Sequence, residues 1–153
     1  MLENIILLIA IGAFCTGIFF LWKLLFAKNI SRKSVATLTV NKHVYQVEIA
    51  KTFLQRANGL MRRDLLLENH GMIFQFDNKI TPAFTMQGVR FPLDIIWIAN
   101  DRIVDIAKNL QPDTGMLASA YRPTMPVEMV LELNGGVSDK DGIKIGDSVI
   151  LKV

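Results

Sequence analysis

Cysteine is all but missing from this sequence. The single thiol, Cys15, lies inside an apolar run, which excludes a disulfide within the chain and a cysteine-based zinc site. Histidine is nearly as scarce. His43 and His70 have no third ligand close by in sequence, so no metal and no cofactor is expected. The glycines at Gly135-Gly136 and from Gly142 to Gly146 lack the following lysine and hydroxyl residue of a nucleotide-binding loop and are read as turn residues. Ser34, Ser119 and Ser138 have no nucleophile elbow around them, and no histidine follows His70 to complete that order of triad. A surplus of charge is missing as well. The chain carries 17 Lys+Arg against 14 Asp+Glu, but Lys23, Lys28, Arg32, Lys33 and Glu3 account for the whole difference, and residues 35–153 hold 13 of each sign. A neutral domain gives phosphate backbones no broad cationic surface, so no nucleic-acid partner is expected.

What is present begins with an uncharged stretch from Ile5 to Trp22, IILLIAIGAFCTGIFFLW, which extends through Phe26 where Lys23 snorkels. A helix of about 20 apolar residues spans the hydrocarbon core, so residues 1–26 are expected to be a membrane-spanning anchor, with the lipid bilayer as partner through residues 5–26. Residues 27–34 form a short basic linker and 35–153 the folded domain. The basic residues after the span favour a single-pass protein with its domain in the cytoplasm. The alternative is an extracytoplasmic domain, anchored or cleaved; as a signal peptide the segment lacks a positive front, and Leu25-Phe26-Ala27 is a poor cleavage site.

The remaining residues suffice for one compact domain. Val35–Val40 and Val44–Ile49 alternate as strands of a hairpin around Asn41-Lys42. Thr52 with Gln55 has capping-box spacing, and Gly59 closes a helix of about two turns. Arg62 to Asn69 is ambiguous. Gly71 reads as a turn before a strand at Met72–Phe76, and Pro82 and Gly88 interrupt the next stretch. Leu93–Ile98 is apolar almost throughout, as in a strand covered on both sides, and pairs through Asn100-Asp101 with Ile103–Ile106. A long loop from Leu110 to Pro126 leads to strands at Val127–Leu133 and within Ile143–Leu151. The expected fold class is α+β, mostly β: a small barrel-like or curled-sheet domain with one short helix, preceded by an N-terminal transmembrane helix.

The ordered set of Thr52 with Arg56, Gly59-Leu60-Met61-Arg62, Gly71-Met72-Ile73-Phe74 with Phe76, Phe84 with Met86, Pro92-Leu93-Asp94-Ile95-Ile96-Trp97-Ile98, Tyr121, Val130-Leu131-Glu132-Leu133 with Gly135, and Gly146-Asp147 resembles the DUF192 domain family. The resemblance implies a compact, mostly β domain, often placed behind a signal or membrane segment, and supplies no reaction. Members commonly read Phe-Trp-Met-Lys-Asn-Thr where this chain reads Phe84-Thr85-Met86-Gln87-Gly88-Val89. A site built on that lysine is altered or silent here.

Asp94 is the sharpest chemical candidate, because an acid between Leu93 and Ile95 is costly to bury unless it is paired. Arg56 or Arg62 is its expected partner, more as a clamp than as a catalyst. Glu132 sits in a similar strand, where alternation can place it on the open face. Most of the aromatic and methionine side chains are expected in the core. Arg56, Phe84, Met86, Asp94 and Tyr121 are the ligand-binding candidates, grouped by the resemblance. The functional expectation is a membrane-tethered accessory or binding domain with a groove near Asp94 for a small molecule or peptide. The alternative is a small hydrolase or transferase using Asp94 with an arginine.

Overall fold

A computed structural model describes residues 34–115 and 118–153, and Ser34–Val153 form one compact unit. β1 (Val35–Val40) and β2 (His43–Ala50) form the first hairpin, with Asn41 at a φ of 54° in its turn. A short helix α1 (Phe53–Asn58) follows. Its capping box is complete: the Gln55 N–H donates to the Thr52 hydroxyl at 3.2 Å, and the Thr52 N–H donates back to Gln55 Oε1 at 3.0 Å. Gly59 ends the helix at a φ of 44°, a region that favours a residue without Cβ.

β3 (His70–Ile80) then pairs parallel to β2. Gly71, expected as a turn, lies inside β3 opposite Leu133, where a Cβ would come within 2.7 Å of the Glu132 carbonyl oxygen and 2.8 Å of Leu133 Cδ2. Close strand approach, not chain reversal, is what requires glycine there. β4 (Leu93–Ala99) and β5 (Arg102–Leu110) are joined by Asn100 and Asp101 at φ 52° and 56°, the pair of positive values that a tight hairpin turn demands. β6 (Val127–Asn134), a single helical turn α2 (Val137–Lys140) and β7 (Val149–Lys152) complete the domain. The turn expected at Gly135-Gly136 leads directly into α2, a helical turn beyond the one short helix expected.

The strand order is β5-β4-β6-β3-β2-β1-β7. The sheet curls until its edges meet near the β4–β5 turn: the Val149 N–H donates to the Asp101 carbonyl at 2.9 Å and the Ile103 N–H to the Asp147 carbonyl at 3.0 Å. The result is a curled, mostly β half-barrel. All seven residues of β4 are buried, because alternate side chains enter two different cores. Ile96 and Ile98 join Leu38, Tyr45, Ile73 and Leu131 inside the curl, while Leu93, Ile95 and Trp97 join Met72, Phe74 and Val130 on the outer face. That outer face is roofed by segments around Leu60, Met86 and Val89. Each large apolar side chain sealed this way contributes roughly 2 kcal/mol, so the roof is as much part of the fold as the curl.

The expected architecture is corrected at its N-terminal end. Among the described residues no helix is long and apolar enough to cross a membrane: α1 has six residues, about 9 Å at 1.5 Å per residue, against the roughly 30 Å of a hydrocarbon core. The anchor expected over residues 1–26, its bilayer contact through residues 5–26 and the basic linker up to residue 33 lie outside the described residues. The single-pass placement, the cytoplasmic assignment drawn from it and the tethered reading of function therefore lose their structural footing.

Candidate functional site

The outer face of the sheet is not sealed everywhere. Between α1 with the residues after it, the 82–89 segment, Phe74 of β3 and Glu132 of β6 lies a cleft of about 200 Å³. Three aromatic side chains, Phe74, Phe76 and Phe84, line it, and Phe74 meets Phe84 edge-on with ring centroids 4.9 Å apart. Phe84 is held by paired backbone hydrogen bonds with Tyr121, of 2.9 and 2.8 Å. Arg56 forms one edge. Its guanidinium stands over the Phe76 ring at 5.0 Å, and Nη1 donates to the carbonyl oxygens of Lys51 and, at 2.9 Å, of Gln75, which pins α1 to β3. The Arg62 N–H donates to the Gly88 carbonyl at 3.0 Å, tying the two roofing segments together. The stretch from Phe84 to Val89 is thus a wall of the cleft, to which Phe84, Thr85, Gln87 and Val89 contribute.

Glu132 lines this cleft and is only 5% exposed. It lies in register with Met72 of β3 and Ile95 of β4, an apolar setting, and its Oε2 has no hydrogen-bond partner. Burial pushes its pKa up from 4.5 to about 8, against the opposing pull of Arg63. Near neutral pH burial therefore favours the neutral acid over the carboxylate. Arg63 itself is bound bidentately to Glu48 of β2, at 2.6 and 2.8 Å, and that hydrogen bonding raises the guanidinium pKa.

Asp94 belongs elsewhere. It has no exposed surface and lies on the strand parity of Ile96 and Ile98, the inner face of the sheet. Oδ1 accepts from the N–H groups of Asn109 at 2.7 Å and Gly136 at 2.9 Å, and Oδ2 accepts from that of Ser138 at 2.6 Å. The expected arginine partner is replaced by three backbone donors, which bind the end of β5 and the start of α2 to β4. An acid whose oxygens are filled this way is a structural staple. The hydrolase or transferase reading built on Asp94 is overturned.

Of the five residues singled out in the sequence, Arg56 and Phe84 meet at the cleft. Met86 is buried in the outer core behind it, Tyr121 is half-buried and fixes Phe84, and Asp94 is on the other face. Glu132 is the residue that sequence reasoning misplaced. Alternation along β6 cannot expose it because both faces of β6 are covered, a fact the unbroken apolar run of β4 already signals. Among the described residues no three His, Cys, Asp or Glu side chains gather as a metal-binding group.

Comparison with known proteins places this geometry. Residues 36–151 match the DUF192 family, described as an uncharacterized ACR, and the chain belongs to that family. It is similar to a structure of a protein of unknown function from Novosphingobium aromaticivorans, with 35% identity and a TM-score of 0.73, covering 80% of this chain and 89% of that one. It is also similar to a putative transcription regulator from Sinorhizobium meliloti, with 30% identity and a TM-score of 0.73, covering 78% of this chain and 95% of that one. No curated protein matches the sequence.

Proposed function

We propose that the domain is a binding module for a small, mostly apolar ligand, and that its site is the cleft above Glu132. Arg56 and Phe84 are the residues that shape the cleft, with Met86 and Tyr121 holding Phe84 and the roof in place. The observation that carries this reading is Glu132 itself: a buried carboxyl with an unpartnered oxygen, on a residue that lines a cleft with three phenylalanines. Buried polar groups are nearly always hydrogen-bonded, and perturbed acids gather where ligands bind. Arg56 and Glu132 are the ionisable residues among the cleft lining, and Arg56 is engaged with backbone carbonyls and a ring. That leaves one proton-bearing group, which suits recognition better than a pair of acid and base roles. The name of the Sinorhizobium meliloti relative brings nucleic acid to mind, but the equal charges of residues 35–153 give no reason to extend it to this chain.

A fragment titration followed by backbone amide NMR tests the proposal. Binding at the site concentrates shifts in residues 56–61, 84–89 and 131–133, and Phe84→Trp, which adds a second ring to the wall, displaces the fragments. Shifts scattered over the surface, or unchanged binding by a folded Phe84→Trp protein, count against it.

A further inference from the structure

Resting on that reading, we infer that the cleft selects a neutral single-ring ligand bearing a carbonyl-type acceptor, which takes a hydrogen bond from the Glu132 carboxyl, over an ammonium or carboxylate of the same shape. The volume sets the size. A cavity of about 150 Å³ lined by apolar side chains accommodates benzene, so about 200 Å³ admits one ring and one small polar substituent. The walls set the body of the ligand, since Phe74 and Phe84 already stand at right angles, 88° between planes, and offer a further ring both a face and an edge.

The floor sets the polar group. With its carboxyl neutral near pH 7, Glu132 has an O–H to donate, and an acceptor seated there satisfies a group that the protein itself leaves unpaired. The charges around Glu132 argue against ions. Arg63 faces it from the segment after α1, and Glu48 of β2 is engaged with Arg63. Arg56 lines the cleft from α1, β3 and β4 present Met72 and Ile95 to it, and residues 82–89 contain no ionisable side chain. An ammonium entering the cleft meets the Arg56 guanidinium and, while Glu132 holds its proton, no counter-charge; a carboxylate must shed its water where Arg56 is already engaged with two backbone carbonyls and a ring.

The test uses the full chain and three probes of one shape, benzamide, benzoate and benzylamine, titrated at pH 6 and pH 9 with Kd read from the cleft amides. Benzamide is expected to bind best at pH 6. Its Kd is expected to rise about tenfold at pH 9, where roughly one molecule in eleven retains the Glu132 proton. The ratio of the two Kd values falls to near one in Glu132→Gln, whose side-chain amide donates at both pH values. Benzylamine or benzoate binding tighter than benzamide at pH 6, or a tenfold ratio that persists in Glu132→Gln, overturns the selectivity while the cleft remains a site. Absence of cleft shifts with all three probes overturns the selectivity as well. If the wider fragment titration is also silent there, the binding reading falls with it.

Discussion

Replacing Glu132 by Gln keeps the shape of the side chain and removes its titration, which isolates the cost of burying this acid. In the unfolded chain the carboxyl ionises near 4.5, and in the folded domain near 8. Below the lower value both states hold the proton and no penalty exists. As pH rises between the two values, the unfolded state releases its proton while the folded state retains it, so stability falls at up to about 1.4 kcal/mol per pH unit. The loss is complete once the folded acid has also ionised. A separation of about 3.5 pH units corresponds to a ceiling of roughly 5 kcal/mol, and because the cleft admits water the realised figure is expected at about half of that or more. Urea denaturation of both proteins from pH 4 to pH 9 measures it. The variant is expected to gain on the wild type steadily above pH 5 and to level off above pH 8. Every other titrating group is common to the two proteins and cancels. Parallel profiles, with a constant offset across the whole range, would refute the argument that Glu132 is forced to remain protonated by its surroundings.

Asp94→Asn removes the charge that three N–H groups share and presents an amide to at least one of those donors; a loss of about 2–4 kcal/mol in urea denaturation is expected, with fragment shifts at the cleft retained in the folded protein. Gly71→Ala places a methyl 2.7 Å from the Glu132 carbonyl oxygen, so β3 and β6 must part; a cost of roughly 2 kcal/mol or more should appear in thermal unfolding together with altered amide shifts at residues 131–133. Thr52→Ala breaks the capping box and is expected to cost about 1 kcal/mol, seen best as lost hydrogen-exchange protection at Arg56 and Gly59. A wild-type level of protection there would show that the Arg56 contacts alone hold α1.

Much of the fold was legible because its local signals are strong. The capping box at Thr52 and Gln55, the alternation along β2 and the paired turn residues Asn100 and Asp101 each specify an element over a few positions, and each is found. What was not legible depends on contacts distant in the chain. Gly71 looks like a turn until Leu133 is placed across from it. Asp94 looks like the partner of an arginine until the N–H groups of Asn109, Gly136 and Ser138, up to 44 positions away, converge on it. The same applies to the site. Arg56 and Phe84 carried a resemblance and proved to be neighbours at the cleft, whereas Glu132 depended on knowing that a roof covers the outer face of β6. Strand periodicity reports which residues share a face and is silent on whether that face meets water.

The pairing of β7 with β1, Thr37 opposite Lys152, has a consequence during synthesis. A nascent chain can form the β1–β2 hairpin as soon as it leaves the ribosome, yet the outer flank of β1 stays open until residues 149–152 emerge, about 100 positions after β2 ends. Through that interval an unpaired edge is presented to other nascent chains. The exposed Lys42 and Lys51 at the two ends of the hairpin put positive charge beside that vulnerable ribbon, where it discourages a second copy from adding to it.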